Sequence, residues 1–468
     1  MASLPRYDLV VIGSGPAGQK AAICAAKLRK KVLVVDREDR VGGVSVHTGT
    51  IPSKTLREAV LYLSGFRQRT FYGKDYRLQD KIAVGDLQKR VRPVRDHEIE
   101  VVRSQLKRNG VETIYGAARF AGTNALDIDT TAGHTQRVEA EHVFVACGTR
   151  PADNASIPID GKLIFNSDML AQVEEIPRHL IIVGGGVIGL EYASMLAALG
   201  GDVTLIDSRK RLLDFVDEEI VDTLTFHMRR HGVTFRLGEK VASCTVEERA
   251  SGRTVVAMLE SGKTVLADAL LYAVGRQPNT DRLDLASAGL STDGRGRLVV
   301  NEHFQTSVPN IYAGGDCIGF PSLASTSMEQ GRVASLHMFG APQAMARELL
   351  PYGIYTIPEI STIGRNEQEL TAAKVPYEVG VARYDELAKA QMIGDQIGLL
   401  KLLFDPVSLR LLGVHAIGEN AAEIIHIGQA VLTLGATVEY FRDTVFNYPT
   451  LAEAYKVAAL DGLNKLAR

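Results

Sequence analysis

With 468 residues the chain has room for about three domains at ~150 residues each, which excludes a mini-protein dependent on staples. Hydrophobic residues make up 46% and charged residues 23%, a balance that excludes wholesale disorder. The 53 basic and 55 acidic side chains leave a net charge of −2, too small a field to gather nucleic acid or an anionic membrane, so small molecules are the expected partners.

The first segment runs from Met-Ala-Ser-Leu-Pro-Arg straight into apolar residues 9–12, so no targeting segment is expected. Residues 7–12 read as a buried strand, Gly13-Ser14-Gly15-Pro16-Ala17-Gly18 as a tight turn, 19–30 as an Ala-rich helix and 31–36 as the next strand. This order fits a dinucleotide fingerprint. Gly13 permits the sharp bend, Gly15 lets backbone approach a pyrophosphate, and Gly18 lets helix pack on strand. Asp36 ends the second strand 23 residues after Gly13, where a carboxylate accepts from an adenosine ribose. The basic run Lys89 to Arg95 adjoins Asp96, Glu98 and Glu100 and reads as an exposed helix face.

Apolar residues 142–145 lead into Ala146-Cys147-Gly148-Thr149-Arg150-Pro151, a glycine-containing crossing between domains. The fingerprint then returns. Residues 179–183 form a strand, Gly184-Gly185-Gly186-Val187-Ile188-Gly189 a turn, and a helix through Leu199 precedes a strand at 202–207. Gly184, Gly186 and Gly189 take the three glycine roles, and Asp207 again stands 23 residues after the first glycine. One match alone is weak, but two at one spacing, each ending in Asp, imply electron traffic between two dinucleotides. Arg209, Lys210 and Arg211 follow Asp207 and suit a 2′-phosphate, as Asp207 suits ribose hydroxyls. A second crossing, Val274-Gly275-Arg276-Gln277-Pro278-Asn279, follows residues 269–273. Residues 311–316 then read as a strand closed by Gly314-Gly315-Asp316, which can lay a carboxylate along a ribityl-pyrophosphate.

The C-terminal region has an alternating segment at 399–414 and a helical pattern at 421–434, an α+β character. His415 and His426 lie among apolar residues without ligands at metal spacing, so core or interface histidines and no metal are expected. Cys24, Cys147, Cys244 and Cys317 are far apart in sequence, form no C-x-x-C pair, and suit reduced thiols in a cytoplasmic protein.

Together these motifs resemble the flavoprotein disulfide-reductase superfamily over nearly the whole chain. The resemblance implies an α/β fold with two Rossmann-like dinucleotide-binding domains, for FAD and NAD(P), plus a C-terminal α+β dimerisation domain opening near Tyr355-Thr356-Ile357-Pro358-Glu359. It implies an FAD-binding domain at 1–150 with a return segment at 276–345, an NAD(P)-binding domain at 151–275 and dimerisation through 346–468, giving a homodimer or higher oligomer. The flavin site implied includes Gly13, Gly15, Gly18, Asp36, Gly43, Lys54, Gly148 and Asp316. The nicotinamide nucleotide site includes Gly184, Gly186, Gly189, Asp207, Arg209 and Gly275.

The departures from the family pattern restrict the chemistry. In the stretch Gly42-Gly43-Val44-Ser45-Val46-His47-Thr48-Gly49-Thr50-Ile51-Pro52-Ser53-Lys54, both redox-cysteine positions hold hydroxyls, Ser45 and Thr50. A hydroxyl forms no thiolate for disulfide exchange, so disulfide reduction is not expected. The family's His-Pro base is replaced in Phe446-Asn447-Tyr448-Pro449-Thr450, although Glu453 remains. A tyrosine phenol in the histidine's place, Tyr448, is a poor general base at neutral pH. Lys54 and Glu191 match the family's ion pair beside the flavin and are the expected catalytic residues.

The Gly-Thr-Ile-Pro-Ser-Lys loop, Tyr192-Ala193-Ser194, Gly319-Phe320-Pro321-Ser322-Leu323-Ala324 and Phe446-Asn447-Tyr448-Pro449-Thr450 are similar to members that exchange hydride between nicotinamide nucleotides. The function implied is reversible, ping-pong hydride transfer between NADPH and NAD⁺ through bound FAD, with NAD(H) and NADP(H) as substrates. Two alternatives stay open: an NAD(P)H oxidase or diaphorase using oxygen or a quinone, and a non-catalytic nucleotide-binding flavoprotein.

Overall fold

A computed structural model describes residues 4–73, 75–79, 81–249, 252–341 and 349–467. The chain groups into two compact units, one of residues 1–56, 88–153 and 275–345, the other of 57–87, 154–274 and 346–468. Residues 57–87, expected with the first nucleotide domain, group instead with the second unit. The 154–274 and 346–468 segments share that unit, and the expected 345/346 boundary lies outside the described residues.

In the first unit a β-branched run forms the central strand Arg6–Ile12, whose Leu9, Val10 and Val11 are fully buried. It lies parallel to Val32–Asp36 on one side and to Thr135–Val145 on the other. Burial on both faces explains the unbroken apolar stretch. Ile311–Ala313 extends the sheet beyond Thr135–Val145, and Glu112–Phe120 extends it beyond Val32–Asp36. The helix is Pro16–Lys27 rather than 19–30. Proline suits its first turn, and Arg29 at φ +63° turns the chain toward the next strand. Helix Ala324–Met338 packs so closely that a Cβ on Gly331 would meet the Ala17 carbonyl oxygen at 2.0 Å. The two crossing segments form a short antiparallel ribbon, Thr149–Pro151 against Arg276–Pro278. The basic run at 89–95 lies on helix Val84–Arg108 and is largely exposed.

The second unit contains a parallel sheet in the order Val233–Leu237, Asp202–Asp207, His179–Val183, Ala269–Tyr272, Ile164–Asn166. Helices Val187–Ala198 and Glu218–Arg230 belong to this segment, as does the antiparallel sheet Val241–Arg249, Gly252–Leu259 and Thr264–Ala267. Its C-terminal part is a five-stranded antiparallel sheet with helices Ala421–Thr433 and Glu453–Leu466. The segment expected to alternate at 399–414 is two strands, Leu399–Phe404 and Leu411–Ile417. All six residues of the first strand are buried; it is an interior strand, paired on both sides. His415 is a core residue bonded to Thr362 and the Arg365 carbonyl, whereas His426 is exposed and pairs with Gln429.

Candidate dinucleotide sites

In the first unit, the glycines of the turn answer to different demands. A Cβ on Gly13, at φ +103°, would meet the Ala146 carbonyl oxygen at 2.3 Å, and one on Gly18 would meet the Gly13 carbonyl oxygen at 1.9 Å. These two are required by the protein's own packing. A Cβ on Gly15 meets nothing within 4 Å, so no protein atom requires that glycine. Gly15 is also the N-cap of helix Pro16–Lys27, where exposed backbone N–H groups favour an anion. The open space beside it fits a pyrophosphate. Gly43 closes the rear of this cradle, since a Cβ there would come within 2.8 Å of Gly15 Cα.

Asp36 is oriented by Ser14, a residue the fingerprint leaves unspecified. Ser14 donates to Asp36 Oδ2 from its backbone N at 2.8 Å and from its hydroxyl, while Gly42 N donates to Ser14 Oγ at 2.9 Å. Glu38 N donates to Oδ1 at 3.2 Å. A carboxylate offers about four acceptor positions, so Asp36 keeps one open for a ribose hydroxyl among the described residues.

Asp316 begins a short turn after Gly315. Burial raises its pKa, against the opposing charge of Arg276 and a hydrogen bond from Thr149 Oγ1 at 3.3 Å. Arg276 in turn donates to Thr149 Oγ1 at 2.8 Å, so the two crossing segments meet beside Asp316. Gly148 and Gly275 have positive φ and open space where a Cβ would stand.

Ser45 lies in helix Gly43–His47 and donates to the Gly42 carbonyl at 3.1 Å. Thr50 starts helix Thr50–Leu63, which carries Lys54. Cys147 and Cys317 are distant in sequence, yet the parallel pairing of Thr135–Val145 with Ile311–Ala313 packs both into one core cluster. Both are free, and the Cys317 contact together with burial pushes the Cys147 thiol well up, away from the reactive thiolate.

The second unit repeats the division of labour. Cβ atoms on Gly184 and Gly189 would meet the Ala273 and Gly184 carbonyl oxygens at 2.6 and 1.9 Å, while Gly186, the N-cap of helix Val187–Ala198, has nothing within 4 Å. The aspartate is held differently. Asp207 Oδ2 accepts from Gly185 N at 2.6 Å and Arg209 Nη2 at 2.9 Å, and Oδ1 accepts from Arg209 N at 2.8 Å and Nε at 3.0 Å. Burial opposes its ionisation, but Arg209 and the Gly185 amide outweigh this and hold the carboxyl below its ordinary range. Arg211 pairs with Glu218, and Lys210 is exposed with no acidic partner among the described residues.

Glu191, on helix Val187–Ala198, is buried, and its carboxylate accepts from Tyr355 N at 3.0 Å. Ser194 accepts from Ile357 N at 3.0 Å, so the Tyr355-to-Glu359 segment is tied to the same helix. Tyr448 is exposed, while Glu453 Oε2 is buried without a hydrogen-bond partner among the described residues. One acidic group, Asp217, Glu219 and Glu367, is close enough to share an ion. Lys401 Nζ fills it, 2.9 Å from Asp217 and 3.1 Å from Glu219 and also bonded to Glu367.

Two glycine cradles, each with its middle glycine open and a carboxylate at the neighbouring strand end, define a protein that binds two dinucleotides. Residues 7–331 match the pyridine nucleotide-disulphide oxidoreductase model and 350–459 match that family's dimerisation domain, and the chain belongs to this family. It is 51% identical over 461 residues to the soluble pyridine nucleotide transhydrogenase of Mycobacterium bovis, covering 98% of each. It is 46% identical to the protein of that name from Erwinia tasmaniensis, again at 98% of each. Among solved structures it is similar to LpdA from Mycobacterium tuberculosis, with TM-score 0.88, 27% identity and coverage of 98% and 99%. The HOCl-induced flavoprotein disulfide reductase RclA from Escherichia coli, as its Cu(II) complex, gives TM-score 0.88 at 26% identity, with the same coverage. No helix among the described residues is long and apolar enough to cross a membrane.

Proposed function

We propose that the protein is an FAD-dependent oxidoreductase that transfers hydride reversibly between NADPH and NAD⁺. The observation that carries this reading is the presence of two dinucleotide cradles in a chain with Ser45 and Thr50 at both redox-cysteine positions. Such a chain can bind two dinucleotides and has no thiol pair there to pass electrons onward. The names of the relatives agree.

FAD, when bound, supplies a ring that accepts hydride from one nicotinamide nucleotide and returns it to another. Gly15 and the helix it caps hold the pyrophosphate, Asp36 takes a ribose hydroxyl, Gly43 and Gly148 leave room for the chain of the cofactor, and Asp316 orients its ribityl portion. Gly184, Gly186 and Gly189 shape the second cradle, where NADPH and NAD⁺ bind in turn. Asp207 and Arg209 meet the adenosine ribose, and Gly275 leaves room at the crossing segment. Lys54 is assigned to the hydride-accepting end, where a fixed cation favours the charge that develops during transfer, and Glu191 is the second residue assigned to catalysis. The enzyme works as a homodimer, supported by the dimerisation-domain match, and in the cytoplasm, supported by its free thiols.

The test is an anaerobic assay of NADPH with thio-NAD⁺. Initial rates at several fixed thio-NAD⁺ concentrations should give parallel double-reciprocal lines, as one cradle serving both nucleotides requires. Oxygen or quinone turnover without thio-NAD⁺ reduction would replace this reading with a diaphorase.

A further inference from the structure

Asp207 has no acceptor position left for the ribose it is placed to bind. Four hydrogen bonds fill a carboxylate's about four acceptor positions, and Arg209 supplies three of them through N, Nε and Nη2. Asp36, the equivalent residue of the first cradle, has no arginine bond among the described residues and keeps one position open. The backbone around the second aspartate is tied down, with Gly238 N donating to the Arg209 carbonyl at 3.0 Å and Glu239 N to the Asp207 carbonyl at 3.2 Å. The Arg209 side chain is 47% exposed, so it alone can leave without unravelling the loop. Its side-on grip uses Nε and one Nη2 proton, leaving the Nη1 edge unspent.

We propose that Arg209 selects between the two nucleotides by remaining on Asp207 for NADP(H) and leaving it for NAD(H). This rests on the reading that the second cradle takes both. A 2′-phosphate beside a bare carboxylate would be repelled. With Arg209 in place the pair is neutral, its Nη1 edge is not spent on Asp207, and Lys210, without an acidic partner among the described residues, adds a cation to the same loop. NAD(H) has a hydroxyl at that position and needs an acceptor. When Arg209 swings into solvent, two positions on Asp207 open while the Gly185 and Arg209 amides keep the carboxylate oriented.

The test uses the FAD-loaded full chain and isothermal titration with ADP-ribose and 2′-phospho-ADP-ribose, which read this subsite without hydride transfer. Arg209→Ala should weaken 2′-phospho-ADP-ribose by about a hundred-fold, since it removes a charged ligand and uncovers Asp207. It should leave ADP-ribose unchanged or tighten it by up to about ten-fold. Adding Asp207→Asn to Arg209→Ala should recover about ten-fold for the phosphorylated probe, because the repulsion is gone. Lys210→Ala, on an exposed side chain, should cost about ten-fold for that probe alone. Equal losses for both probes in Arg209→Ala, or no recovery in the double variant, would overturn the selector. Failure of the unsubstituted protein to bind 2′-phospho-ADP-ribose would instead remove the two-nucleotide reading beneath it.

Discussion

The two glycine turns share one spacing and one set of steric demands, yet they differ at the residue after the first glycine. In the first unit this is Ser14, whose amide and hydroxyl hold Asp36 and whose oxygen receives Gly42 N. In the second it is Gly185, where a Cβ would strike Leu212 Cδ2 at 2.4 Å, and Arg209 takes over the support of Asp207. The first aspartate is therefore braced from within and left open toward a ligand. The second is capped by a half-exposed side chain that can move. An internally braced site suits a resident cofactor, and a capped one suits nucleotides that come and go.

The largest separation between the turns comes from their middle glycines. Gly15→Ala should abolish FAD retention, giving colourless folded protein, whereas Gly186→Ala should stay yellow and lose nucleotide binding. Displacing the pyrophosphate by ~1 Å should cost about a hundred-fold in the affected step. Cofactor content and anaerobic bleaching by NADPH separate the two outcomes. The outer glycines behave alike in both units: Gly18→Ala and Gly189→Ala each force a Cβ onto a carbonyl oxygen and should destabilise the fold by about 1–3 kcal/mol, read by thermal melting. Asp36→Ala should loosen FAD by ~1–2 kcal/mol, the value of a few ribose and turn hydrogen bonds, measured as flavin released on dilution.

A smaller, pH-dependent contrast belongs to the second unit. His227 on helix Glu218–Arg230 is buried with both ring nitrogens unpartnered among the described residues, its ring tilted against that of His231. Burial, with His231 and Arg230 adding to it, pulls its pKa from 6.5 down to about 3. The unfolded chain takes up this proton near pH 6.5 and the folded chain resists until about 3. More protons are bound by the unfolded state across that window, so stability falls as pH drops through it, by up to ~1.4 kcal/mol per pH unit. His227→Phe should flatten that slope by about one proton in urea unfolding series. An unchanged slope would assign the acid sensitivity to other groups.

The features legible in the sequence are those in which neighbouring residues impose the structure. Sharp bends at Gly13 and Gly184 and strands ending at Asp36 and Asp207 follow from spacing alone, whereas the helices open three residues earlier than the turns suggest, at Pro16 and Val187. The rest depends on where distant segments meet. Ser14 looks like an arbitrary residue until Asp36 is beside it, and Cys147 and Cys317 share a core cluster only because two far strands are parallel neighbours. Lys401 interrupts an apolar strand, and the three carboxylates that accept it come from residues 217, 219 and 367. The basic run 209–211 reads as one cluster, yet Arg209 and Arg211 are each engaged by a different acid, which no charge count reveals.

On the proposed function, hydride crosses this protein with no redox disulfide, and an anaerobic titration distinguishes that route from one through thiols. NADPH is added stepwise to the yellow holoprotein while the flavin and long-wavelength absorbance are followed, and NAD⁺ is added at the end. Because Ser45 and Thr50 can store no electrons, one equivalent of NADPH per flavin should bleach it fully without a thiolate-to-flavin band, and NAD⁺ should restore the yellow colour. A requirement for two equivalents, a charge-transfer band at the first, or a flavin that NAD⁺ cannot restore would contradict the account.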